Sequence, residues 1–199
     1  LGAHARPRTY DAAVSILGQP NFTSEAHSDP PTSRSLYEVD GVAIDPTTGK
    51  LFVSESGNHR ILRFSSTAAY QTFAEAEAVF GQPDFTSDQP NRGGTPSAVT
   101  LDTPATLCFD PEGNLWVGDS FNARVLRFDN ASAKPQFGAV ADGVIGQPDF
   151  VSNTPATNST SDSGFIEPVG VAVDSNGNLY VLENGNAPRI LRFENAKNV

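Results

Sequence analysis

Gly81-Gln82-Pro83-Asp84-Phe85-Thr86-Ser87 has two near copies in the chain, Gly18-Gln19-Pro20-Asn21-Phe22-Thr23-Ser24 and Gly146-Gln147-Pro148-Asp149-Phe150-Val151-Ser152. They start 63 and 65 residues apart. A fixed period of this length marks an array of supersecondary units rather than a domain with one linear plan. Every other recognisable feature keeps its distance from these stretches, so function has to be sought in what differs between copies.

After each stretch comes a loop rich in Ser, Thr, Pro and Asp, followed by two short β-rich runs around a turn. The pairs are Gly41–Asp45 with Leu51–Glu55, Thr106–Asp110 with Leu115–Asp119, and Gly170–Asp174 with Leu179–Glu183. Their turns contain Gly49, Gly113 and Gly177, as tight hairpins require. A second turn leads to Arg60-Ile61-Leu62-Arg63-Phe64, Arg124-Val125-Leu126-Arg127-Phe128 and Arg189-Ile190-Leu191-Arg192-Phe193. A fourth run, Ala78-Val79-Phe80 or Gly143-Val144-Ile145, feeds the next Gly-Gln-Pro. The spacing predicts an all-β chain of four-stranded antiparallel units without helices, which is the pattern of β-propeller blades.

The chain is expected to form one segment, 1–199, with units at about 36–81, 101–146 and 165–199. Residues 1–18 are read as an outer strand completing a blade, because Ala5-Arg6-Pro7 and Ile16-Leu17-Gly18 match Ala133-Lys134-Pro135 and Val144-Ile145-Gly146.

Composition removes several classes. The net charge is −10, and six of the 13 basic residues are the arginines of the repeated Arg-x-x-Arg strand. No basic stripe is left for a phosphate backbone, so nucleic acid is not expected as a partner. No apolar run approaches the roughly 18 residues of a membrane span. Cys108 is the only cysteine, which rules out an intrachain disulfide and a cysteine-based zinc site; within Ala105–Phe109 it reads as an inert buried thiol. The chain begins at Leu1 and contains no methionine, from which we expect a processed piece of a longer precursor with an extracellular or periplasmic location, secreted or on a cell surface. Asn21, Asn130 and Asn158 stand in glycosylation triplets.

The third unit, Pro168-Val169-Gly170-Val171-Ala172-Val173-Asp174 through Phe193, resembles the NHL-repeat family, whose unit reads Pro-x-Gly-Val-Ala-Val-Asp, Gly-Asn-x-Tyr-Val-Ala-Asp, then Asn-x-Arg-Val-x-x-Phe. The resemblance covers all three units. Val39 replaces the proline in the first, Thr106 the glycine in the second, and the loops exceed the usual NHL length. It implies three blades, half of a six-bladed ring. Itself or another half-propeller is the expected partner, with the first strand of each of two chains completing the last blade of the other. The same resemblance brings in zinc-dependent amidating lyases and, more distantly, calcium-dependent gluconolactonase-like hydrolases. His4, His27 and His59 are scattered over an end, a loop and a turn, and no Gly-x-Ser-x-Gly stretch occurs.

The long loops Thr23–Arg34, Thr86–Leu101 and Val151–Phe165 are expected on the face that holds the mouth of the channel. Glu55, Asp119 and Glu183, each followed by Asn58, Asn122 or Asn186, recur in every unit and read as structural, paired to Arg60, Arg124 and Arg189. The candidate ligand-binding set is Glu38, Asp40, Asp102 and Glu167, which precede the first strands and vary between units, together with Asn58, Asn122 and Asn186. Oxygen ligands of this kind would suit calcium if any cation were bound. Asp174-Ser175-Asn176-Gly177-Asn178 lacks the closing Glu of a calcium loop and reads as a hairpin turn. The expected function is a non-catalytic binding or assembly module presenting its loops to a protein, peptide or glycan. The alternative is a metal-dependent hydrolase or lyase with a cation at the channel mouth.

Overall fold

The structure, a computed structural model, describes residues 12–25, 27–68, 71–157, 161–185 and 188–198. Eleven strands are described, in strict chain order. β1 (Val39–Ile44), β2 (Leu51–Glu55), β3 (Arg60–Phe64) and β4 (Ala78–Phe80) form one antiparallel sheet. β5 (Pro104–Phe109), β6 (Leu115–Asp119), β7 (Arg124–Phe128) and β8 (Gly143–Ile145) form the second. β9 (Glu167–Val173), β10 (Leu179–Asn184) and β11 (Arg189–Phe193) form a third sheet of three strands. Among the described residues the helical pieces are short 3-10 turns such as Ala131–Ala133. The first strands β1, β5 and β9 lie side by side, and the sheets stack face to face. This is a β-propeller arrangement of three blades.

Strand alternation gives each blade a forward and a rear face. Phe52, Ile61 and Phe80 on the forward face of blade 1 meet Leu107, Leu115, Val117, Leu126 and Phe128 on the rear of blade 2. Trp116, Val125 and Ile145 on the forward face of blade 2 meet Leu179 and Val181 of blade 3. Trp116 takes the place of Phe52 and is 1% exposed. The rear of blade 1, formed by Leu51, Val53, Leu62, Phe64 and Val79, is covered by the connection bearing Ala68, Ala74 and Ala76 and by Leu17, Leu36 and Phe85.

The leading glycine of the repeated stretch has a steric reason. Gly81 and Gly146 have φ of 89° and 93°, and a Cβ there would strike Leu101 or Phe165, which seal the top of each interface. Arginines stitch the blades along their outer part. Arg63 donates through Nη1 to the Ala131 and Lys134 carbonyls of blade 2, at 3.0 and 2.8 Å. Arg127 donates to the Lys197 carbonyl of blade 3 at 2.7 Å. Near the axis, Ser54 Oγ donates to the Ala105 carbonyl and Thr106 Oγ1 to the Val169 carbonyl, while Thr106 also accepts the Val171 N–H. The threonine that departs from the NHL pattern is therefore a link between blades.

Residues 14–17 form no strand in the protomer; only Gly18 makes an isolated bridge, to Ser35. Their equivalents Gly143–Ile145 are held by β7, and the described residues contain no third strand of a preceding blade to hold 14–17. Two expectations need correction, those for Asp40 and Glu167. β1 starts at Val39, so Asp40 lies within it rather than before it. β9 starts at Glu167 itself, because Asn184 and Glu183 at the end of β10 extend the ladder to Glu167 and Pro168. The matching region 1–11 and His4 lie outside the described residues.

Candidate binding cleft at the inner-strand ends

The recurring carboxylates close the second strand of each blade and face inward. Asp119 Oδ2 accepts Arg124 Nε at 2.7 Å and the Asn122 amide at 2.8 Å, while Oδ1 accepts the Asp102 N–H at 2.7 Å. Glu55 does the same with Arg60, Asn58 and the Tyr37 N–H, at 2.5, 3.1 and 2.7 Å. Glu183 holds Arg189 at 2.6 Å and accepts the Ile166 N–H. The far ends of the guanidinium groups are aimed at main-chain carbonyls: Arg60 at Phe85, Thr32 and Ser35, Arg124 at Phe150, Ser97 and Thr100. Phe85 and Phe150 belong to the repeated stretch, so each bracket clamps the outgoing and incoming loops onto its blade. Burial pushes the Glu55 and Asp119 carboxyls above their ordinary values, against the pull of Arg60 and Arg124. Asn58 and Asn122 are buried, with their amides on these carboxylates. Asn122 also exchanges two amide hydrogen bonds with Asn91 of the loop, at 3.0 and 2.9 Å. Asn186 lies outside the described residues.

The acids that vary between blades separate. Asp40 of blade 1 and Glu167 of blade 3 line one cleft of about 210 Å3 with Ser56, Thr103, Ala105, Thr106, Ser120 and Val169. Most hydroxyls there are already used as donors: Ser56 to the Glu38 carbonyl, Ser120 to Pro168, Thr106 to Val169 and Thr103 to Asp102. Glu167 has one long contact, 3.4 Å from the Asn184 amide. The hydrogen-bonding capacity this cleft offers outward is thus mainly that of two carboxylates from non-adjacent blades. Glu38 is exposed beside the β2–β3 turn, at φ 49°. Asp102 faces away into contacts with Thr103, Asn91 and His59. The His59 Nδ1 that approaches it at 3.3 Å already accepts the Thr103 N–H at 3.0 Å, so this contact lacks the proton an ion pair needs.

Two of the three long loops meet at the same end of the sheets. A smaller cavity of about 160 Å3 is lined by His27, Asp29 and Pro31 of one loop, Asp88 of the next, and Tyr37, Gly57 and Asn58. The His27 and Tyr37 rings stack there at 4.7 Å. The third loop folds on itself around an open hollow of about 530 Å3 between Gly146–Pro148 and Thr154–Thr157. Reading the sequence singled out Asp40 and Glu167 but missed their partners in the cleft; the signal for Thr106 was its departure from glycine. Nothing local in the sequence marks Ser56 or Ser120, because the contacts come from neighbouring blades.

Among the described residues no group of three or more His, Cys, Asp or Glu side chains is placed to hold a metal ion. No described helix is long and apolar enough to cross a membrane. Burial lifts the Cys108 thiol to about 12, which leaves it protonated and unreactive at neutral pH.

Fold and site together define an all-β propeller segment with an acidic cleft at its inner-strand ends. The family model for the NHL repeat matches residues 165–187, which span β9 and β10 of the third blade. The chain is similar to Teneurin-3 of Mus musculus, 29% identical over 168 residues, and to Teneurin-4 of Homo sapiens, 26% over 153 residues. These alignments cover 79% and 72% of this chain but only 6% and 5% of the two relatives. Among solved structures, luciferin-regenerating enzyme superposes with a TM-score of 0.49 at 16% identity, over 81% of this chain and 46% of that one. A chain of the nidogen/laminin complex does so at 0.49 and 18%, over 78% and 44%.

Proposed function

We propose that the chain is a non-catalytic binding and assembly module, and that its inner-strand cleft takes a cationic group of a protein or peptide ligand. The observation that supports this is that Asp40 and Glu167 line one cleft across three blades, with the Ser56, Thr106 and Ser120 hydroxyls donating to main-chain carbonyls and that of Thr103 to Asp102. Such a cleft offers acceptors and negative charge but few donors, which suits an ammonium or guanidinium group better than a glycan's mixed hydroxyls. Calcium takes about six to eight oxygen ligands, and two carboxylates supply only part of that set, so the reading does not depend on a metal. The flanking loops with the His27–Tyr37 stack extend the surface on the same end. A secreted or cell-surface location belongs to the proposal, and the asparagines of the glycosylation triplets at Asn21 and Asn130 are exposed, although Ala131 and Ser132 of the second triplet are buried.

The test is binding of a lysine- and arginine-bearing peptide library to the immobilised protein at low and high salt. Asp40→Ala with Glu167→Ala should weaken the selected peptides at least about tenfold, roughly 1.4 kcal/mol. The unfolding midpoint should stay in place, since neither side chain is buried in the core. Selection of neutral or acidic peptides, or binding that ignores the double variant, would overturn the reading.

A further inference from the structure

The turn between the second and third strands departs from the repeat in the middle blade. Ser56-Gly57-Asn58 and Asn184-Gly185-Asn186 carry glycine where blade 2 carries an aromatic ring, in Ser120-Phe121-Asn122. The residue that enters the first strand changes with it. Tyr37, Asp102 and Ile166 hold one equivalent place, since each gives its N–H to the carboxylate of its own bracket. In blade 1 the Tyr37 ring covers the turn so closely that a Cβ on Gly57 would lie 2.4 Å from its Cδ1. In blade 3 Ile166 is the neighbour that a Cβ on Gly185 would meet, at 3.4 Å. In blade 2 the roles are exchanged: Asp102 turns to Thr103, Asn91 and His59, and the turn itself supplies the ring.

Phe121 is 61% exposed, yet its backbone is fixed on both sides. Its N–H goes to the Asp102 carbonyl at 3.2 Å. Buried Ser120 gives its hydroxyl to the Pro168 carbonyl at 2.8 Å, and buried Asn122 is tied to Asp119 and Asn91. A bare ring on a pinned turn is a preorganised contact, because little conformational freedom is left to lose when something packs on it. The blade does not need the ring for itself, as both neighbours close the same turn on glycine. Its place matters too. Ser120 lines the cleft with Asp40 and Glu167, so Phe121 stands at the blade 2 side of that cleft. Ser56 lines it beside Gly57, which puts Tyr37, 39% exposed, at the blade 1 side.

We infer that Phe121 is the specificity-determining contact of this cleft, receiving an apolar side chain that lies within two residues of a basic one in an extended peptide. Ser120 and Phe121 are consecutive, and an extended chain advances about 3.3 Å per residue, so cleft and ring fall within that reach. The inference rests on the cleft's proposed affinity for cations and adds the demand for an apolar neighbour. Charge complementarity names the occupant: Asp40, Glu167 and exposed Glu38, on a chain of net charge −10, draw a basic segment and oppose a second copy of this acidic chain. The exposed ring then gains from a segment that also brings apolar surface.

The test uses the capped peptides Gly-Arg-Phe-Gly, Gly-Arg-Gly-Phe and Gly-Arg-Gly-Gly, titrated into the full chain up to about millimolar concentration and followed by nuclear magnetic resonance. At least one phenylalanine peptide should bind about fivefold or more tightly than Gly-Arg-Gly-Gly. Phe121→Gly, which installs the residue of the other two blades, should reduce that peptide to the affinity of Gly-Arg-Gly-Gly with unchanged far-ultraviolet circular dichroism, and Phe121→Trp should keep the preference. Asp40→Ala with Glu167→Ala should instead weaken all three peptides together. Equal affinity for the three, or a preference that survives Phe121→Gly, overturns the inference and leaves cation binding at the cleft intact. Absence of binding by all three overturns both readings. Concentration-dependent self-association that is lost in Phe121→Gly would assign the ring to a second copy and also overturn the inference.

Discussion

Arg124→Met tests whether the recurring carboxylate–arginine bracket holds the fold together. Arg124 and Asp119 are both fully buried in the middle blade. The substitution strips Asp119 of its 2.7 Å partner and leaves the carbonyls of Ser97, Thr100 and Phe150 without their charged donor. Removing one member of a buried pair costs about 3–5 kcal/mol. The Asp102 N–H and the Asn122 amide still hold the carboxylate, so we expect the middle of that range, about 4 kcal/mol. The loss should also depend on pH with a definite sign. Burial already raises the Asp119 carboxyl above its ordinary 3.8, and Arg124 is the main influence pulling it down. Without Arg124 the folded-state value rises further, so the folded variant binds protons more readily than the unfolded chain. Its penalty is absent below the unfolded value and develops as pH rises through the folded one. The gap between wild type and variant is therefore widest at neutral pH and narrows on acidification. Urea unfolding followed by Trp116 fluorescence, at about pH 7 and about pH 5, measures both quantities. Arg189→Met is the comparator: Arg189 is 20% exposed and reaches one carbonyl at 3.5 Å, so its loss should be clearly smaller. A loss under about 1 kcal/mol in the middle blade, or one that grows on acidification, would refute the bracket's structural role.

Other outcomes follow from burial and exposure. Trp116, enclosed between blades 2 and 3 with Arg127 over its ring at 5.7 Å, should emit at short wavelength and resist acrylamide; ready quenching in folded protein would contradict that packing. Cys108 should react with a thiol reagent near pH 8 only after denaturant is added, since burial lifts it to about 12. Glu38→Ala, on an exposed turn, should change stability by no more than about 0.5 kcal/mol in urea titration, and a larger loss would give it a structural role.

How much could be read from the sequence depends on how local the cause is. The strands of each blade are written in period-two runs and glycine turns, and repetition gave their order directly. The bracket was also legible, because Glu55 and Arg60, or Asp119 and Arg124, end and begin paired strands in every copy. What they clamp was not: Arg124 reaches Phe150 and Ser97, more than twenty residues away on two different loops. Asn58 and Asn122 looked available for a ligand because nothing in a tetrapeptide turn shows which way an amide points. The cleft had the same limitation. Asp40 and Glu167 are 127 residues apart in the chain and share a cleft only through the stacking of β1, β5 and β9.

The repeated Gly-Gln-Pro stretch is constant for reasons that leave recognition to its neighbours. Its glycine is fixed by contact with Leu101 or Phe165, and the Gln82 amide is committed to the carbonyls of Asn58, His59 and Gln89. Gln147 repeats this with Ala123 and Thr154. Asp84 and Asp149 each fold their own turn by accepting the following hydroxyl and N–H groups, the Thr86 N–H foremost at Asp84 and the Ser152 side chain foremost at Asp149, which holds both carboxyls below the usual range. The phenylalanine carbonyl goes to the buried arginine. The Gln82 Oε1 atom is buried without a hydrogen-bond partner, but the motif's Gln amide N–H groups, its Asp carboxylates and its Phe carbonyl are engaged internally, so a change there should alter the blade before it alters a ligand. The residues free to be selected for binding are those the repeat does not use: Asp40, Glu167, and the loop side chains around His27 and Tyr37. In the proposed binding role, recognition would fall to the departures from the repeat, with the repeat itself holding them at a common end.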